Sequence, residues 1–143
     1  MHTNFQKVVL SSTSSDSHTW NLVYLELLMR ELGFDVVNLG ACVASSKVIQ
    51  ACHRHHPFIL VLSSVNGLGH IKGTELIQEI RKMTLLHKMK VVLGGKLTLN
   101  GTLTDQERKK LIQSGFDAIY SETEIVDFQN YLLYESQKIK AVA

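Results

Sequence analysis

Short unbroken apolar runs alternate with stretches of helical periodicity along the whole chain, and that alternation leaves few folds open. The runs are KVVL at Lys7–Leu10, DVVNL at Asp35–Leu39, FILVL at Phe58–Leu62, KVVL at Lys90–Leu93 and AIY at Ala118–Tyr120. A strand with one wet face alternates apolar and polar residues. These runs do not, so they suit strands buried on both faces of a parallel sheet. Between them, Thr19–Leu32 sets Leu22, Leu25, Leu28, Met29 and Leu32 on one helical stripe. Ser45–His55, Thr74–Met83, Thr104–Ser114 and Glu124–Gln137 read as the remaining helices. Gly33 and Gly115 follow helices, Pro57 precedes a strand, and Thr104 with Glu107 makes a capping box. Five strand–helix units in 143 residues predict one α/β domain over 1–143, with its core at about 5–135. The expected form is a doubly wound, flavodoxin-like (Rossmann-like) fold on a five-stranded parallel sheet, in the order 2-1-3-4-5 usual at this size.

Composition excludes several classes. The chain is 45% hydrophobic and 20% charged with one Pro, which leaves no room for a disordered or low-complexity reading. The net charge of +2 comes from scattered Lys and Arg, without the basic stripe a nucleic acid needs. No apolar run approaches the roughly 20 residues that span a bilayer, and Met1–Gln6 is too polar to open a secretory signal. Cys42 and Cys52 cannot build a disulfide framework and read as reduced thiols. A cytoplasmic protein is expected.

In such sheets ligands bind beyond the carboxyl ends of the strands, where strand order reverses. That points to Ser11–Asn21, Ser63–Gly69 and Gly94–Gly101. The first segment, SSTSSDSHTWN, is long for a strand-to-helix connection. Asp16 or Ser17 could cap the helix there, with Trp20 packed under the loop. Alternatively, Asp16 and His18 form a pair, since a metal-ligating His donates its second ring N–H to a carboxylate. The second segment, SSVNGLG, is either a plain turn or a place where a bulky ligand approaches the backbone. Gly94-Gly95 before Lys96-Leu97-Thr98 has the same two readings. Cys52-His53-Arg54-His55-His56 contains zinc-type ligands, but cationic side chains are also favoured at a helix carboxyl end, and that reading is preferred. His2, His70 and His87 stand alone and are expected at the surface.

Together these residues resemble the cobalamin-binding domain of adenosylcobalamin-dependent mutases, and within it the free-standing small subunit of glutamate (methylaspartate) mutase. That family carries D-x-H-x-x-G in the first loop, S-x-L or S-S-L after the third strand and G-G after the fourth. Here the matching text is DSHTWN at Asp16–Asn21, SSV at Ser63–Val65 and Gly94-Gly95. GFDVVNLG at Gly33–Gly40 and SGFD at Ser114–Asp117 are similar as well. The resemblance implies an isomerase component that binds adenosylcobalamin base-off, with its own dimethylbenzimidazole displaced from cobalt. His18 would be the lower axial ligand and Asp16 would hold its other ring nitrogen. The implied cofactor-binding positions are Ser15, Asp16, Ser17, His18, Thr19, Asn21, Ser63, Ser64, Val65, Gly67, Gly94, Gly95, Lys96, Leu97 and Thr98. The nucleotide tail would run between the sheet and the first helix, with Gly94 and Gly95 clearing its path. Binding would weaken as pH falls, because the imidazole must be neutral. The resemblance further implies a large barrel-type catalytic subunit that holds an amino-acid substrate, and a chain inactive alone. Three places depart from the pattern. Asn21 stands where the motif has Gly, and its side chain would narrow the channel or add a hydrogen bond; weaker cobalamin binding than with Gly is expected. Val65 replaces Leu, and Ser121-Glu122-Thr123 replaces Pro-Gly-Thr.

Competing functions make distinct demands. A non-catalytic cobalamin carrier or sensor would use the same loop. Corrinoid methyl carriers place a helical domain before it, and fifteen residues precede Asp16 here. A flavodoxin-type carrier would cradle the FMN phosphate with the Ser/Thr loop. It would also want aromatic residues to stack the ring, and the loops after the third and fourth strands have none. A receiver domain needs Asp at the end of the third strand and Lys after the fifth, where this chain has Ser63 and Ser121.

Overall fold

The computed structural model describes residues 6–142, so the expectation for His2 lies outside the described residues. Strands and helices alternate strictly: β1 Lys7–Ser11, α1 Trp20–Glu31, β2 Asp35–Asn38, α2 Ser45–His55, β3 Ile59–Ser64, α3 Gly69–Lys82, β4 Lys90–Gly95, α4 Asp105–Ser114, β5 Ala118–Tyr120 and α5 Ile125–Val142. All strand pairs are parallel and the order is β2-β1-β3-β4-β5. The parallel pairing is what the unbroken apolar runs predict, and the order is the flavodoxin-like one usual at this size.

The period-2 alternation of each strand divides the core in two. Val8, Leu10, Ile59, Val61 and Val92 face one side, where they meet Leu22 and Met29 of α1 and Phe128 and Leu132 of α5. Val9, Leu60, Leu62, Val91 and Leu93 face the other, against α2, α3 and α4. Toward the strand ends the α1/α5 face shrinks from Val61 and Val92 to Ser63 and Gly94. That taper leaves room under α1 which larger residues would fill.

Two boundaries move. α3 begins at Gly69, not Thr74, because Gly69 and Gly73 are packing residues rather than turn residues. A Cβ on Gly69 would lie 2.8 Å from Leu97 and 3.0 Å from Ser64, and one on Gly73 would lie 3.0 Å from Leu93. Their absence of side chain brings α3 close onto the sheet. α5 continues to Val142, past Gln137. The capping box forms as expected: Glu107 N donates to Thr104 Oγ1 at 3.1 Å, and Thr104 N donates to Glu107 Oε1 at 3.2 Å.

The zinc reading of the Cys52–His56 cluster is not supported. Cys52 is buried in the core, while His53, Arg54 and His55 occupy the last turn of α2. Among the described residues no group of three or more His, Cys, Asp or Glu side chains is arranged to hold a metal ion. His87 is exposed as expected, but His70 is half-buried and bonds Leu97 O through Nδ1 at 2.6 Å. Among the described residues no helix is long and apolar enough to cross a membrane.

Candidate functional site

The β1–α1 loop is folded around one carboxylate. Asp16 is fully buried, and its Oδ1 accepts from His18 N at 3.0 Å and from His18 Nδ1 at 2.6 Å. Its Oδ2 accepts from Ser64 Oγ at 2.8 Å and from Val65 N at 2.7 Å. The loop therefore joins the end of β3 through Asp16 itself. Asn66 makes a second tie, donating to Ser15 O at 3.1 Å while its own Oδ1 accepts from Leu68 N at 3.0 Å. Burial acts to raise the Asp16 carboxyl. The backbone N–H groups of His18 and Val65, with the His18 and Ser64 side chains, together outweigh it and hold the carboxyl below its ordinary 3.8.

An ionised carboxylate can only accept, so the neutral His18 imidazole carries its proton on Nδ1. Nε2 is left as a free lone pair on a side chain 57% exposed. This is the arrangement in which a carboxylate fixes the tautomer and orientation of a metal-ligating histidine. The capping alternative fails on geometry. The N-cap of α1 is Thr19, without a side-chain cap bond, and Trp20 is exposed rather than packed under the loop.

Beside this loop lies a cavity of about 270 Å³ between α1, α5 and the ends of β3 and β4. That is near the lower end of small-molecule sites, roughly 300–1,000 Å³. Asn21, Ser63, Val65, Gly94 and Gly95 line it, together with Tyr24, Tyr120, Ile125 and Phe128, among others. Asn21 Nδ2 donates to Ser63 Oγ at 2.8 Å, and Asn21 Oδ1 is buried without a partner. The two glycines differ. Gly95 has φ +112° and a Cβ there would lie 2.2 Å from Ser64 O, so the backbone alone demands glycine. At Gly94 a Cβ would meet Tyr120 O at 3.1 Å, a tight but lesser conflict.

The predicted site residues thus fall into three groups. Ser15, Asp16, Ser17, His18, Thr19 and Ser64 form the loop and its anchor. Asn21, Ser63, Val65, Gly94 and Gly95 meet at the cavity. Gly67, Lys96, Leu97 and Thr98 do not line it. Leu97 is buried in the opposite core, Thr98 is buried, Lys96 is exposed, and Gly67 N donates to Lys96 O at 3.2 Å. Beyond these residues, the start of α5 lines the cavity and Asn66 ties the loop to the end of β3. The N-G pair after Ser64 signals a turn in which Asn66 bonds locally, but nothing in the sequence brings Phe128 to the far side of the cavity.

The B12 binding domain family matches residues 6–126 of this sequence. The chain belongs to the B12 binding domain family. Within it, the chain is 29% identical over 118 residues to the glutamate mutase sigma subunit of Fusobacterium nucleatum, covering 80% of this chain and 84% of that one. It is also 29% identical to the glutamate mutase sigma subunit 2 of Haloarcula marismortui, covering 82% and 78%. Among solved structures it is similar to a cobalamin-binding protein from Desulfitobacterium hafniense, with TM-score 0.67, 22% identity and coverage of 81% and 53%. The monomethylamine corrinoid protein of Methanosarcina barkeri gives TM-score 0.67 at 20% identity, covering 80% and 51%. The chain spans about half the length of these two B12-related structures. A Vibrio cholerae chemotaxis protein reaches TM-score 0.63 at 8% identity, a likeness of fold alone.

Proposed function

We propose that this chain is the cobalamin-binding subunit of a glutamate-mutase-like isomerase. It holds adenosylcobalamin base-off with His18 as the lower axial ligand, and works with a separate catalytic subunit that carries the amino-acid substrate. The observation that carries the reading is the Asp16–His18 pair: a buried carboxylate with every bond directed, and an exposed imidazole whose outer nitrogen is free. The residues present fit the group. His18 would ligate the cobalt, and the cavity under α1 would take the displaced tail beside Asn21, Ser63 and Gly94. When bound, the cofactor supplies a cobalt–carbon bond that can break homolytically.

The chain's own part is to bind and to orient. Asp16 holds the proton on His18 Nδ1, which raises the basicity of Nε2 and stops the ring from turning. Ser64 Oγ and Val65 N lock Asp16 in turn, so the ligand is referenced to the sheet rather than to a mobile loop. Trp20, Tyr24 and Leu27 of α1 are exposed just beyond His18. An apolar stripe in that place favours a covering partner over water.

The test is electron paramagnetic resonance of the full chain with cob(II)alamin, using histidine labelled with nitrogen-15. A protein imidazole on cobalt changes the superhyperfine splitting on labelling, and His18→Ala abolishes that change. A spectrum insensitive to the label would overturn the axial assignment.

A further inference from the structure

We infer that the exposed apolar face formed by α1 and α5 binds a second copy of this chain, with the two α1 helices packed antiparallel across a two-fold axis. The inference goes beyond the proposed function and needs no cofactor, because the contact lies on the outer side of the helix layer rather than at the strand ends.

The face starts on α1. Trp20, Val23, Tyr24 and Leu27 stand at i, i+3, i+4 and i+7, the spacing of a helical stripe that meets a neighbour. Leu22 and Met29 of the same helix fill the core, so α1 carries a second apolar side that its own sheet does not cover. Trp20 is 83% exposed, Leu27 59% and Tyr24 56%. Glu26 and Arg30 do not break the stripe, since they pair with each other and bond Asn38 and Val36 O over the β2 edge. α5 packs on the same side of the sheet, and its Ile125 and Phe128 meet Tyr24 and Leu25 across the cavity. Val126, next round the helix from Ile125, is 62% exposed, and exposed Leu133 repeats it seven residues on. By contrast, α2 in the opposite layer exposes Ser46, Lys47, Gln50 and Arg54.

Area and charge both point to a second copy as the occupant. At these exposures the six side chains offer about 600 Å² per copy, the upper end for an apolar patch on a monomer. A pair would bury about 1,200 Å² in total, where specific interfaces begin. The stripe also complements itself end to end. At its start, Thr19 caps α1 without a side-chain bond and the first turn holds no acid, so the positive end of the helix is uncompensated. At its finish, four residues after Leu27, stands exposed Glu31, which makes no ion pair among the described residues. An axis passing midway between Tyr24 and Leu27 sets each Tyr24 on the other copy's Leu27. It also sets each Glu31 against the other copy's Trp20 turn, so both uncompensated ends are answered at once. Spacing of seven residues on α1 and on α5 suits helices crossing at about 20°, which keeps the whole stripe in contact.

The test is sedimentation velocity of the full chain without cofactor, from about 1 to about 200 µM. A monomer–dimer equilibrium with Kd in the micromolar range is expected. Leu27→Lys puts a charge in the contact twice, once from each copy, and should raise Kd at least about a hundredfold. Glu31→Lys should raise it about tenfold at low salt, an effect that fades near about 0.5 M salt. Melting curves establish that each variant is folded, and if Leu27→Lys is not, Glu31→Lys reports on the same pairing. A chain that stays monomeric at the highest concentration overturns the inference and leaves the face to a different protein. A dimer that neither substitution weakens places the contact elsewhere and overturns it too, as does growth beyond the dimer. None of these results bears on the cobalt ligand, which the labelled-histidine spectrum tests separately.

Discussion

Replacing Asp16 by Ala removes the acceptor of four hydrogen bonds at a fully buried position. The two from His18 lie at the exposed rim, where water can replace the carboxylate. The two from Ser64 Oγ and Val65 N lie inward, and bonds to a charged acceptor contribute about 1.5–3 kcal/mol each. Taking the lower figure twice gives a loss of about 3 kcal/mol. That is a large share of the roughly 5–15 kcal/mol that holds a typical domain together. For a chain approaching 150 residues it should lower Tm by roughly 6–12 °C. His18→Ala is the control: its side chain is 57% exposed, so stability should move by no more than about 0.5 kcal/mol. The assay is urea denaturation followed by circular dichroism, reading the midpoint at unchanged slope. The loss should also carry a pH signature. Because the folded-state carboxyl lies below its unfolded value of 3.8, its contribution is complete at neutral pH and starts to shrink near 3.8. It is lost as pH falls through the lower, folded value. The stability gap between wild type and Asp16→Asn should close over that acidic window. A loss under about 0.5 kcal/mol for Asp16→Ala, or a gap that stays constant down to pH 2, would refute the reasoning.

Two further outcomes separate structural from ligand-related demands. Gly95→Ala should destabilise the chain by about 1–3 kcal/mol in the same denaturation assay, because its Cβ would meet Ser64 O at 2.2 Å and its φ is +112°. Gly94→Ala, at 3.1 Å from Tyr120 O, should cost less stability while weakening cobalamin binding through the smaller cavity. In a thiol titration of the native chain near pH 8, exposed Cys42 should react and Cys52 should not. Burial pushes the Cys52 thiol up to about 12. Denaturant should then release the second thiol.

The fold was legible because the central strands β1 and β3 are buried on both faces, so Val8–Leu10 and Leu60–Leu62 carry no polar interruption that a helix or an edge strand would require. The Asp16–His18 pair was legible for another reason: residues two apart in one loop need no tertiary information to meet. What stayed hidden depended on packing between distant segments. Gly69 closes a segment that reads as a turn, yet its role, like that of Gly73, is set by Leu97, Ser64 and Leu93, which a Cβ on these glycines would meet at 3.0 Å or less. Lys96, Leu97 and Thr98, cofactor-binding positions by the family resemblance, lie outside the lining of the cavity under α1. Gly95's positive φ turns the chain at that point, and Leu97 goes into the core on the α2–α4 side. The second wall of the cavity comes from α5, whose position no local pattern encodes.

The likeness to a chemotaxis protein at 8% identity sharpens what the sheet does and does not determine. The strand order fixes a crevice between the ends of β1 and β3, and any chain with this topology inherits it. Chemistry enters through what stands there. An acidic side chain at the end of β3 would make the crevice a site for a cation. Here that end carries Ser63 and Ser64, and the acid is on the facing loop, consumed by its four bonds and unavailable as a direct ligand. Placing Asp16 behind His18 rather than beside it exchanges a hard oxygen ligand for a nitrogen ligand of raised basicity, the kind a transition metal takes. The hydroxyl that anchors the acid, Ser64, and the one that holds the amide, Ser63, are neighbours on one strand facing opposite sides. The Asp16–His18 loop and the cavity under α1 are therefore tied to a single rigid dipeptide. A shift of β3 would disturb both together, which is the physical reason to expect loop and cavity to respond to mutation as one unit.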